Sequence, residues 1–133
     1  MNPIQEVKNK LEKYPHIKYE EETNFINILP VNDSGFTIQL EVNPSSYTVA
    51  FEGWHESFED AEEALNCLAF GLSDSCRLKI TYRGTSPQKW EVQAKEENNG
   101  SWYTDSETGL IIFKFWHKPK VTYKQNSLLS EKT

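Results

Sequence analysis

Apolar and polar residues alternate along most of this chain, and a helical repeat interrupts the alternation twice. Near the start, Ile4, Val7, Leu11 and Tyr14 recur at spacings of three and four, which puts them on one stripe of a helix expected over residues 3–13. Asn2 stands where a cap is needed, Pro3 takes the tolerated first position, and Pro15 ends the run. The second interruption, GWHESFEDAEEALNCLAFGL, is the piece the rest is organised around. Phe58, Ala61, Leu65, Leu68 and Leu72 form its apolar stripe and predict a helix over residues 58–70. Ser57 is the expected N-cap with Asp60 completing a capping-box-like pair, and Gly71 is the expected left-handed stop. Glu59, Glu62, Glu63 and Asn66 fall on the opposite side, and helical spacing sends Phe70 to that side too.

The strand signals lie between and after these helices. Residues 16–21 alternate weakly and 24–29 are apolar on both sides. Phe36, Ile38, Leu40 and Val42 alternate strictly with polar residues, as do Tyr47, Val49 and Phe51 beyond an Asn-Pro-Ser-Ser turn, which is the pattern of a hairpin. After the central helix, strands are expected over residues 77–83, 89–95, 101–105, 110–117 and 121–123, the fourth being the most apolar. A sheet with one greasy and one polar face is antiparallel and covered on one side. The predicted fold is therefore α+β, two helices packed on one face of a mainly antiparallel sheet in the order α-ββββ-α-βββββ. Residues 1–126 are expected to form this single domain, with 127–133 a tail that frays apart from Leu128 and Leu129.

Composition changes the picture little. A chain of 133 residues suits one core, and 13% aromatic residues argue for a folded one. No apolar run approaches the ~20 residues that span a bilayer, and the charged start lacks a signal-peptide core. A cytoplasmic protein without membrane association is expected, with Cys67 and Cys76 as free thiols, although a bond between them is conceivable.

Charge is more informative. Residues 19–76 hold twelve acids and neither Lys nor Arg, whereas residues 77–133 hold ten basic residues against six acids. The net charge of −6 thus hides an acidic block, which disfavours nucleic acid and anionic membrane and suits a basic protein partner.

Three constellations carry candidate chemistry. Trp54-His55-Glu56 and Trp116-His117 close two similar segments, Phe-x-x-Trp-His at 51–55 and 113–117. Were the two corners to meet, His55 and His117 with Glu52 or Glu56 would make an acid–base pair or a metal site; the ordinary reading is two rim tryptophans with imidazoles in water. No metal-ligand spacing such as His-Glu-x-x-His occurs, and no metal or cofactor is expected. Glu52, Glu56, Glu59, Glu62 and Glu63 make the densest acidic patch, a docking face with Phe70 as its apolar anchor or simply a solvated surface. Trp54, Trp90, Trp102 and Trp116 would line a pocket for an apolar ligand if they converged. The basic positions Arg77, Lys79, Arg83, Lys89 and Lys95 alternate away from Tyr82 and Trp90, so basic and aromatic residues are not expected to share a surface.

No motif identifies a reaction. The expectation is a non-catalytic interaction module of immunity or adaptor type with an acidic docking face, with a small-ligand binder or a His55–His117 enzyme as alternatives. Its oligomeric state is open, a homodimer through a sheet edge being one form.

Overall fold

The computed structural model describes residues 2–109 and 119–128. Helix α1 (Pro3–Leu11) is capped as expected: Asn2 Oδ1 accepts the Gln5 N–H at 3.2 Å, and Ile4, Val7 and Leu11 are buried. Five strands follow or flank the next helix on its N-terminal side: β1 (Tyr19–Glu21), β2 (Phe25–Ile28), β3 (Ile38–Val42), β4 (Tyr47–Phe51) and β5 (Trp54–Phe58). They pair in sequence order as an antiparallel meander, with Leu40 opposite Val49 at the heart of the expected hairpin. Helix α2 (Ala61–Leu72) crosses this sheet, and four further strands form a second antiparallel sheet: β6 (Cys76–Arg83), β7 (Ser86–Lys95), β8 (Trp102–Gly109) and β9 (Pro119–Lys124), in the order β8-β7-β6-β9.

The α+β class and the two helices are as the pattern implied, but the strands divide into two sheets. The crossover through α2 separates β5 from β6, so the chain after the helix starts a new sheet. Both sheets share one core. Ile26, Ile38, Leu40, Val49 and Phe51 from the first, Ala64, Leu68 and Leu72 from α2, and Leu78, Ile80 and Val92 from the second belong to one buried cluster. The expected strand at 110–117 lies outside the described residues. Leu128 does not fray, since its N–H donates to the Leu72 carbonyl at 2.7 Å.

Two features of the central stretch differ from the expectation. Residues 54–58 are a strand, not the entry to the helix. Glu52, in a left-handed conformation at φ 54°, and Gly53 turn the chain back so that Phe51 pairs with Trp54. The helix therefore begins later, with Asp60 as its cap, Oδ2 accepting the Glu63 N–H at 3.3 Å. Gly71 does not stop it. A Cβ at that position would lie 2.5 Å from the Phe51 ring, so glycine is there to let α2 approach β4. The buried face is Ala64, Leu68, Gly71 and Leu72, and Leu65 is only half-buried on its flank. Among the described residues no helix is long and apolar enough to cross a membrane.

Candidate docking surface

The boundary between acidic and basic sequence coincides with a boundary in the fold. All five strands of the first sheet and the whole of α2 fall within residues 19–76, which contain no Lys or Arg. Glu59, Asp60, Glu62 and Glu63 cluster where β5 runs into α2, and all four are exposed. The positive end of the helix dipole and the free N–H groups of the first turn favour carboxylates there. Among the described residues no ion pair reaches Glu56, Glu59, Glu62 or Glu63.

Not every residue of the expected patch joins it. Glu52 sits at the opposite end of β5, a strand of five residues or about 16 Å, and its Oε1 pairs with Lys124 Nζ of the second sheet at 3.3 Å. Glu56 lies midway, exposed on β5, close enough to Cys67 of α2 to act on it electrostatically. Burial first, and then the charges of Glu56 and Asp105, push the Cys67 thiol up to about 12. Burial likewise raises the Cys76 thiol, so neither cysteine is a thiolate nucleophile near neutral pH. Phe70, expected among the glutamates, packs against the core and lines a cleft with Ala94, Lys95 and Tyr103 of the second sheet. The reason is the second sheet itself: it folds over the flank of α2 that periodicity alone leaves to solvent.

An apolar surface does adjoin the acidic cluster. Between α1 and α2 runs a groove of about 530 Å³ floored by Val7, Leu11, Leu65 and Leu68, with Glu62 on one wall and Lys10 of α1 and Lys13 just beyond that helix on the other. It came from no single stripe; it needs the two helices side by side.

The aromatic and histidine candidates are dispersed. Trp54 is buried, its ring centroid 4.7 Å from that of Phe51, and its indole N–H donates to Ser106 Oγ at 3.0 Å. Trp90 packs against Gly53, where a Cβ would come within 2.2 Å of the indole. Trp102 stands on the other face of the second sheet, beside Arg77. These three rings therefore do not surround one cavity. His55 is exposed on β5 opposite Ala50. Trp116 and His117 lie outside the described residues. Among the described residues no three His, Cys, Asp or Glu side chains are grouped to hold a metal ion.

Sequence reasoning missed the company that Arg77 keeps. Tyr82 and Trp90 do alternate away from the basic positions, but register brings Trp102 of β8 and Tyr123 of β9 onto the basic face from neighbouring strands. No signal in either strand alone fixes that parity; it follows only once Trp102 is known to pair with Lys95 and Tyr123 with Lys79.

No protein-family model, curated protein or solved structure matches this chain.

Proposed function

We propose that this chain is a non-catalytic interaction module, of the immunity or adaptor kind, that receives a basic protein partner at the acidic end of α2. The observation that supports it most is the group Glu59, Glu62 and Glu63, exposed, gathered within five residues at the start of α2 and without an ion pair among the described residues. Charges of this kind steer a partner and select it, while burial of apolar surface holds it. With Phe70 tucked under the second sheet, the anchor comes instead from the α1–α2 groove, whose wall includes Glu62 and whose floor includes the half-buried Leu65. The test is capture of the partner from the native host, followed by affinity measurements on the purified pair. Reversal of Glu59, Glu62 and Glu63 to lysine weakens the complex if this reading holds.

A second reading has its own observation. The groove volume falls in the range of small-molecule sites, about 300–1,000 Å³, and its floor is aliphatic. An apolar ligand filling it would raise the melting temperature of the isolated chain, with no partner protein present.

A further inference from the structure

The outer face of the second sheet carries a row of alternating rings and cations. Register sets Gln93 beside Arg77, Trp102 beside Lys95 and Tyr123 beside Lys79, all on the side away from the core. The Arg77 guanidinium carbon lies 4.5 Å from the Trp102 ring centroid and 4.1 Å from that of Tyr123. Lys95 Nζ lies 6.0 Å from the Trp102 centroid. The row thus reads Tyr123, Arg77, Trp102, Lys95.

Arg77 is held in place before any ligand arrives. Rings lie against its guanidinium from two residues, and its Nε–H donates to Gln93 Oε1 at 2.7 Å. Gln93 is fixed in turn, its Nε2 donating to Thr104 Oγ1, which donates to Glu91 Oε1 at 2.8 Å. Two other cations of this face are matched: Lys79 by Glu91 at 3.7 Å and Lys89 by Glu107 at 3.1 Å. Among the described residues Arg77 and Lys95 have no carboxylate partner. A fixed, planar and unmatched guanidinium presents its terminal N–H fork to oxyanions at small entropic cost.

The flanking rings narrow the ligand. A lone carboxylate needs only the fork, whereas a row of cations interleaved with rings suits an anion that repeats and carries planar groups of its own. Tyr123 keeps 49% of its surface open for such stacking. We propose that this face binds single-stranded nucleic acid, with phosphates at Arg77 and Lys95 and bases against Tyr123 and Trp102. The net charge of −6 does not oppose it, because the acids are concentrated in the first sheet and α2, and salt screens charge over about 8–10 Å.

The test is fluorescence anisotropy of a labelled oligothymidylate at low salt, with duplex DNA and inorganic phosphate as competitors. The wild-type chain binds the single strand, and both competitors displace it poorly. Trp102→Ala weakens binding about tenfold, the scale of one lost stacking contact, and Arg77→Ala weakens it by removing a phosphate contact. Lys95→Ala lowers the slope of log affinity against log salt by about 0.7, as for one phosphate contact. Arg77→Lys, which keeps the charge but not the stacked plane, also weakens it. If circular dichroism shows that Arg77→Ala does not fold, Lys95→Ala and Tyr123→Ala, at exposed positions, decide the matter. A wild-type chain that leaves the oligonucleotide free overturns the proposal, and so does binding indifferent to these substitutions. Neither result touches the acidic docking surface, which uses a different part of the molecule.

Discussion

Trp54 on the first sheet donates its indole N–H to Ser106 Oγ on the second at 3.0 Å, and so joins the two sheets where β5 meets β8. The ring that makes this bond is 3% exposed and continues the Phe36–Phe51–Trp54 aromatic cluster, with centroid separations of 5.3 and 4.7 Å. Trp54→Phe keeps most of the packing and should cost about 1–3 kcal/mol, chiefly through the lost bond and residual void. Trp54→Ala removes the ring and should cost about 3–5 kcal/mol. Urea titrations of both variants check the ranking.

Gly71 offers a test of sign. In an open helix, Gly→Ala stabilises by about 1 kcal/mol. Here a Cβ would lie 2.5 Å from the Phe51 ring and 2.9 Å from Ile38 Cδ1, both within the core. Overpacking of this kind costs about 1–3 kcal/mol, so Gly71→Ala should lower the urea midpoint. A raised midpoint would mean that α2 sits further from β4 than described.

The rotation of α2 is open to a similar comparison. Leu68 is 5% exposed and belongs to the shared core, whereas Leu65 is only half-buried on its flank. Leu68→Ala should destabilise by about 2–5 kcal/mol, Leu65→Ala by less, and Glu62→Ala hardly at all. Equal losses at 65 and 68 would contradict the orientation.

Alkaline pH gives a fourth prediction. The Cys67 thiol is raised from 9.0 to about 12 by burial, helped by Glu56 and Asp105. The unfolded chain releases this proton first, so above pH 9 it binds fewer protons than the folded chain and stability falls as pH rises. That contribution is fully present below pH 9 and is lost progressively towards about pH 12, at a limiting slope of about 1.4 kcal/mol per unit. Cys67→Ala should flatten the decline in denaturant titrations between those limits.

The hairpin of β3 and β4, the cap at Asn2 and the class of the fold were legible because each rests on local alternation or a local hydrogen bond. The strand at Trp54–Phe58 was not. Its alternation is short, and the stripe that begins at Phe58 reads as helix from the wrong side of Asp60. Gly71 is illegible for the same reason: a glycine near a helix end looks like a stop, and only the distance to Phe51 reveals a close approach. The charge partition was visible in the sequence because it is long and unbroken. What became of Phe70 and Trp102 was not, since both depend on how the second sheet packs and registers. Local pattern fixes which side of its own element a residue takes, and tertiary packing decides what waits there.

The proposed docking of a basic partner at the acidic end of α2 is tested most directly by the salt dependence of that complex with and without its charges. The measurement is the affinity of the captured, purified partner for the wild-type chain and for the Glu59→Lys, Glu62→Lys, Glu63→Lys triple variant, across a range of ionic strength. All three positions are exposed, so the variant should keep its fold by circular dichroism. Wild-type affinity should fall as salt rises, chiefly through a slower association rate, because screening shortens the reach of the field to about 8–10 Å. The triple variant should bind more weakly at low salt and lose that dependence. A partner whose affinity is the same for both chains and indifferent to salt would dock elsewhere and contradict the account.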